Sequence, residues 1–502
     1  MDPITRRGLL GWGGGALLAP LAACVGPQGL RVRDNGVAQA LSRAAAPVRP
    51  PPWPAPPPPL PALFDDLERR TFEFFWFTTN AGNGLVPDRY PHPAPASIAS
   101  IGFGLSAYIV GVDRGYISRG QARARTLTTL RFLRDAPQGP QARGVSGYRG
   151  FFYHFLDMRT GLRAARCELS TVDTALLLAG VLHAQAYFDG AHDDEAEIRA
   201  AAETIYRRVD WRWAQVRGQH ISMGWTPEHG AIRHDWQGYN EAMLVILLAL
   251  GSPTHAVDAG AWPAWSATYG PEWGRFMGYE FLNFAPLFGH QYSHAWIDFR
   301  GLQDATMRAH GIDYFENSRR ATYAQRAYAI ANPKAWVGYG AEVWGLTACD
   351  GPATTFVADR RGRERGFLAY AARGAGMAHT TDDGTIAPTA ALGSLPFAPE
   401  IVIPAALEMH RRYGEVIYQR YGFVDAFNPS FVARDVRLSW GHVEPGFGWV
   451  ANDYLGIDQG PILLMMGNYR NERVWSDMRR CAPLRRGLER AGFSGGWLER
   501  PA

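Results

Sequence analysis

The chain has 502 residues, with 51 lysines and arginines against 47 acidic residues, a net charge of +4 and a pI near 8.8. That length allows a large buried core, and no composition break marks a second globular unit. Lys334 is the single lysine, and the arginines are interleaved with acidic residues rather than gathered in a basic run, which excludes a nucleic-acid surface.

In chain order, Thr5-Arg6-Arg7-Gly8-Leu9-Leu10 resembles a twin-arginine export motif, followed by an apolar stretch too short and glycine-rich to span a bilayer. Leu21-Ala22-Ala23-Cys24 resembles a lipobox, so residues 1–23 are expected to be a signal peptide and Cys24 the lipidated residue of a periplasmic, membrane-anchored monomer. Residues 24–61 form the expected anchor linker, with ten prolines in the fifteen residues from Pro47 to Pro61, a composition that favours an extended spacer. Three cysteines remain, Cys167, Cys349 and Cys481, enough for one disulfide at most and without the spacing of a zinc or redox site.

The expected catalytic domain covers residues 62–485, with 486–502 as a C-terminal tail. Leu63, Phe64, Leu67, Phe74 and Phe75 recur at helical spacing opposite Asp65, Asp66, Glu68 and Arg69, which predicts an amphipathic helix over 62–78. Further helices are expected at about 98–112, 118–134, 170–188, 194–209, 239–250, 316–331, 400–413 and 459–480, with Ser118 as a cap and Gly251 and Pro333 as stops. Weaker helices inside the long glycine- and aromatic-rich connections bring the total to about a dozen. Strand-like alternation is scarce, and no period of 30 to 45 residues marks a solenoid. An all-α fold follows, an (α/α)6 toroid with long decorated loops gathered at one end.

The stretch from Tyr279 to Pro352 crowds aromatics, carboxylates, histidines, amides and arginines together, the mixture that suits the apolar faces and hydroxyl edges of a sugar. Glycoside hydrolysis needs one carboxylic acid for the leaving oxygen and one carboxylate for water or carbon. Carboxylates on loops are therefore the candidates: Asp157 in GFFYHFLDM, Glu168 and Asp173 in CELSTVDTALL, Glu228 in GWTPEHG and Glu241 in GYNEAM. Glu241 follows Gly238-Tyr239-Asn240 at the mouth of an apolar helix, where a side chain can project into a cavity, and is the first choice. Ser170-Thr171-Val172-Asp173 also fits a helix-capping pattern. Tyr239, Asn240, His290, Gln291, Tyr292, Trp296, Arg300, Trp344 and Asp458 are the candidate sugar contacts. His290, His294 and Asp298 are spaced by four, but without an H-E-x-x-H motif hydrogen bonding to sugar is the preferred role, and no metal or other cofactor is expected.

The strings ELSTVDTALLLAG, GYNEAM, PLFGHQYSHAWIDFRG, DYFENSRRATYAQRAYAIANP, WGLTACDGP, DDGTIAPTAA, PFAPEIVIPA and YLGIDQGPI span most of residues 63–480 in order. Together they resemble the bacterial glycoamylase-like family, which includes glycoside hydrolase family 144, the endo-β-1,2-glucanases. The resemblance implies an (α/α)6 barrel, chemistry without a metal, and cleavage of β-1,2-linked glucose chains with inversion. On it, Glu241 matches the position of the acid, and the base lies among Asp157, Glu168 and Asp173. Three other readings stay open: a retaining β-1,2-glucan transglycosylase, a polysaccharide lyase with a Tyr or His base and a basic cleft, and a non-catalytic glycan-binding lipoprotein.

Overall fold

The structure is a computed structural model that describes residues 46–499. The twin-arginine motif, Cys24 and residues 1–45 lie outside the described residues, as do 500–502. The chain is mostly helical, with fifteen α-helices among the described residues. In order they are α1 (Ala62–Thr78), α2 (Ile98–Asp113), α3 (Arg119–Asp135), α4 (Thr171–Tyr187), α5 (Asp193–Arg207), α6 (Ala242–Gly251), α7 (Ala261–Ser266), α8 (Tyr292–Trp296), α9 (Ala305–His310), α10 (Tyr314–Ala331), α11 (Pro388–Leu392), α12 (Pro399–Ile417), α13 (Gly456–Asn471), α14 (Arg473–Met478) and α15 (Ala482–Arg490). None is long and apolar enough to cross a membrane.

Composition sorts these helices into two kinds. The sequence AMLVILLALG of α6 has no polar face, and all of it is buried. Every residue of α2 from Ile98 to Gly111 is buried too, as is α4 from Asp173 to Ala184. By contrast α1, α3 and α5 bury one stripe and turn most of their charges to solvent, with Glu68 and Glu195 buried, as amphipathic surface helices do. The wholly buried α2 lies between α4 and α13, α5 covers α3 and α4, and α15 covers α6.

Strands are short and serve as ties between loops. Ala96–Ser97 pairs with Phe155–Leu156 just before α2, Leu169–Ser170 with Gly224–Thr226 just before α4, and Arg89–Tyr90 with Tyr454–Leu455 just before α13. Each tie fixes the loop that enters a buried helix. These bridges are too short to leave an alternating pattern in the sequence.

Several expectations need correction. The helix expected over 459–480 is two helices, because Glu472 adopts φ +59° and the Asn468 side chain accepts the Val474 and Trp475 N–H groups that a continuing helix would have used. The boundary at 485 cuts α15, whose Leu484 and Leu488 are buried, and Trp497 beyond it donates to the Asp298 carbonyl at 2.7 Å. Residues 46–61 do not stand off as a spacer: Val48, Trp53, Pro51 and Pro58 all hydrogen-bond to the helical body. Cys167, Cys349 and Cys481 are buried free thiols.

Candidate functional site

Where the buried helices begin, their entering loops surround one cavity. Glu168, Ser170, Val172 and Asp173 line it from the strand before α4 and the first turn of that helix, and Glu241 from the residue before α6. Tyr292 at the start of α8 and Ile457 at the start of α13 close the far side. Helix N-termini carry partial positive charge, which suits carboxylates placed there. Trp236, Phe288, Tyr292 and Tyr370 supply the aromatic wall, with Trp236 pinned by its indole N–H to Thr171 Oγ1 at 2.9 Å.

The side chain between two of the acids is His154, which the sequence reading passed over. Its Nδ1 lies 2.6 Å from Glu168 Oε1 and its Nε2 3.5 Å from Asp173 Oδ1, so the ring bridges the two carboxylates. Burial works to lower its pKa, but Asp173, Glu168 and the Glu168 hydrogen bond outweigh it and hold the imidazole at about 9. At neutral pH the bridge is therefore an imidazolium. Asp173 moves the other way from an ordinary ion-paired carboxylate: burial raises its pKa despite His154 and the Ser170 hydroxyl, which donates at 2.5 Å. The three ligand-type atoms of His154, Glu168 and Asp173 come within 4.8 Å of one another. A carboxylate approaches each ring nitrogen, so the imidazole is engaged on both sides by the acids themselves.

Behind the aromatic wall lies a second acidic group. Asp458 is buried, and burial together with Asp425 and Asp350 raises its pKa well above the usual carboxylate range. Asp350 is pushed up to about 7 by burial against the opposing Arg89, which donates to it at 2.8 Å. Asp458 thus sits among carboxyls that disfavour its ionisation. It does not itself line the cavity, but the buried Tyr292 hydroxyl sits in the field of Asp458, Tyr370, Glu241 and Asp173 together.

Of the expected catalytic residues, then, Glu241, Glu168 and Asp173 meet, and Asp157 does not. Asp157 is exposed and its carboxylate accepts from Thr160 N at 2.8 Å, Thr160 Oγ1 at 2.7 Å and Arg159 N at 3.2 Å, which makes it the first residue of an Asx turn. Glu228 is tied to Arg163 at 2.9 Å. Among the expected sugar contacts, Tyr292 lines the cavity, whereas Tyr239, Asn240, His290, Gln291, Trp296, Arg300 and Trp344 do not. Tyr239 is buried and stacks on Tyr314. Asn240 closes its own turn, accepting from Ala242 N at 3.0 Å. Burial drives His290 and His294 down to about 3, so both are neutral, bonded to the Phe284 carbonyl and the Ser318 hydroxyl. Gln291 binds Ala390 O and Ser394 Oγ at 2.8 Å, Trp296 donates to Ser106 Oγ at 2.9 Å, and Trp344 is fully buried. Arg300 pairs with Asp298 and Glu472. The polar, aromatic stretch 279–352 is thus largely buried core rather than cavity wall. Asp382 is likewise occupied, accepting from Tyr328, Trp336 and Tyr339, and Asp383 holds Arg373 at 2.8 Å.

The glycoamylase family model, described as "putative glucoamylase", matches residues 233–482. An exo-β-1,2-glucooligosaccharide sophorohydrolase (non-reducing end) from Parabacteroides distasonis is 27% identical over 461 residues, which cover 85% of this chain and 57% of that protein. The chain thus spans a little over half the length of this curated relative. An endo-β-1,2-glucanase from Chitinophaga pinensis, solved with sophorotriose and glucose, superposes with a TM-score of 0.73 at 28% identity, covering 87% of this chain and 99% of that one. A "putative glucoamylase" from Bacteroides uniformis also gives a TM-score of 0.73, at 31% identity, covering 87% of this chain and 98% of that one. Identity at that level along nearly the whole of a solved relative decides membership: the chain belongs to the glycoamylase-like family.

Proposed function

We propose that this protein is a glycoside hydrolase that cleaves β-1,2-glucan with inversion. The observation that carries the reading is the meeting of Glu241, Glu168 and Asp173 at one aromatic-walled cavity. The β-1,2-glucan activities named for its relatives from Parabacteroides and Chitinophaga supply the linkage. The same reading makes the fold a closed (α/α)6 toroid. Support comes from the alternation of buried α2, α4, α6, α8, α11 and α13 with one-sided α3, α5, α10 and α12, and from the cavity at the entry ends of the buried set.

In this mechanism Glu241 gives its proton to the glycosidic oxygen as the bond to C1 breaks, and water adds to C1 from the opposite face. The water proton passes to Asp173, whose raised pKa brings it nearer the working pH than an ordinary carboxylate and so makes it the stronger base. Glu168 is the weaker candidate because the His154 ring stands 2.6 Å from its oxygen against 3.5 Å for Asp173, so it is the carboxylate tied up by the imidazolium. A lyase is disfavoured, since it needs a basic cleft for an acidic sugar, and among the described residues the one cationic side chain of the cavity wall is held between two carboxylates.

The test is Glu241→Gln on linear β-1,2-glucan, with proton NMR of the first products. General acid catalysis is worth about 10² to 10⁴ in rate, so the variant should bind glucan and lose turnover by that factor. Wild-type products should appear as α-anomers. First-formed β-anomers would sink inversion, a fully active Glu241→Gln would remove Glu241 from the acid role, and absence of turnover on any glucan would leave a binding protein.

A further inference from the structure

The turn that delivers Glu241 is held from outside the cavity by a carboxylate on another element. Glu272 closes the 3-10 segment Ala267–Glu272 that follows α7. Its Oε2 accepts the Tyr239 N–H at 2.5 Å, and Thr268 Oγ1, from the same segment, accepts the Gly238 N–H at 2.7 Å. Gly238 has φ +69°, and a Cβ there would lie 2.2 Å from Glu272 Oε1, so the carboxylate sits directly over the turn. Only glycine fits that approach. The rest of the turn is closed on itself, with Asn240 Nδ2 donating to Gln237 O and Ala242 N donating to Asn240 Oδ1, both at 3.0 Å. Glu272 is fixed in turn through its own carbonyl, which accepts from Asn283 N at 2.8 Å.

We propose that Glu272 is a positioning residue for Glu241: by gripping two successive amides of the Gly238–Tyr239 turn, the Thr268–Glu272 pair sets where the Glu241 carboxyl stands in the cavity. The inference rests on the catalytic reading of Glu241. A half-buried carboxylate near a turn often does no more than stabilise it. Here the gripped amide is two residues from the proposed acid, and the intervening Asn240 and Ala242 contacts leave the turn little freedom to absorb a shift. Burial also pushes the Glu272 carboxyl up to about 7, with the Tyr239 N–H opposing, which marks a group enclosed by its turn rather than hanging in solvent. A displacement of about 1 Å at a catalytic group can cost on the order of 10²-fold in rate.

The experiment compares Glu272→Leu, which removes the acceptor, with Glu272→Gln, which keeps an oxygen for the Tyr239 N–H. Turnover of β-1,2-glucan is measured alongside amide hydrogen exchange of residues 238–241. Glu272→Leu should lower kcat about 10- to 100-fold with KM changed less than about threefold, and should speed exchange at Tyr239. Glu272→Gln should restore both to within about threefold of wild type. Should the leucine variant not fold, Thr268→Val removes the Gly238 anchor alone and should show the same split at smaller amplitude. Unchanged Tyr239 exchange in the variants overturns the grip, and faster exchange with unchanged kcat overturns its link to Glu241. If wild type turns over no glucan, the catalytic reading has failed instead, and the exchange measurement still decides whether Glu272 holds the turn.

Discussion

His154 decides how much charge the cavity wall carries. Its pKa stands at about 9 in the folded chain against 6.5 for a free side chain. A folded-state pKa raised in this way contributes stability that is complete below about pH 6.5 and is lost as pH climbs through 9. The stability gap between wild type and His154→Gln should therefore be widest near pH 6, reach up to about 3 kcal/mol, and close by about pH 9.5 in urea titrations across that range. A gap independent of pH would mean that the ring is neutral and only packs. The same residue shows what a linear reading misses: Glu168 and Asp173 stand 14 and 19 positions away, and the antiparallel bridge between Tyr153 and Leu169, with the His154 N–H donating to the Glu168 carbonyl at 2.9 Å, brings the segments together. Asp157 is the opposite case, because Asp157-Met158-Arg159-Thr160 carries an Asx-turn signal that was legible and was outweighed by the aromatic run before it.

The elements were most legible where caps and periodicity agree. Ser118 heads α3 with a reciprocal capping box to Gln121, and α1 runs over the residues its apolar spacing marks. The five-residue α8 and α11 escaped because so short a run shows no period, although both pack on α13, whose first turn lines the cavity through Ile457. The closeness of α2 to α4 was not legible either, since it depends on two glycines that meet only in space. A Cβ on Gly180 would lie 2.1 Å from the Gly102 carbonyl oxygen, and one on Gly102 would lie 2.2 Å from the Leu176 carbonyl oxygen. Backbone cannot yield as a side-chain tip does, so Gly180→Ala must push the helices apart, at a cost of about 1–3 kcal/mol or more. Gly467→Ala in α13 is the control, because its nearest neighbour is a Val110 methyl at 3.3 Å. Urea midpoints should fall for the first and barely move for the second. Since α4 carries Asp173 in its first turn, activity should fall with stability in Gly180→Ala. Equal midpoints for the two variants would mean that the crossing is looser than its geometry.

Across the whole molecule, the proline-rich segment changes what the folded unit is. Proline content alone predicts extension but not where the extended chain lies, and here it lies along α10, α12 and α13. Arg319 of α10, itself buried, donates to the Pro51 carbonyl at 2.7 Å while paired with Glu400 at 2.6 Å. Trp53 donates to Pro396 O at 2.9 Å and packs its ring on the core, and Tyr469 donates to Pro58 O at 2.5 Å. A chain starting at Ala62 would strip an acceptor from a buried guanidinium and uncover the seat of the Trp53 ring. A hydrogen bond to a charged group is worth about 1.5–3 kcal/mol, and the lost ring burial adds to it, so the truncated chain should melt several degrees below the full chain. A chain starting at Ala46 keeps every one of these contacts and should melt with the full chain. Coincident melting of the 62-start and 46-start chains would show that residues 46–61 are held too weakly to count as part of the folded unit, and would return them to the role of a spacer.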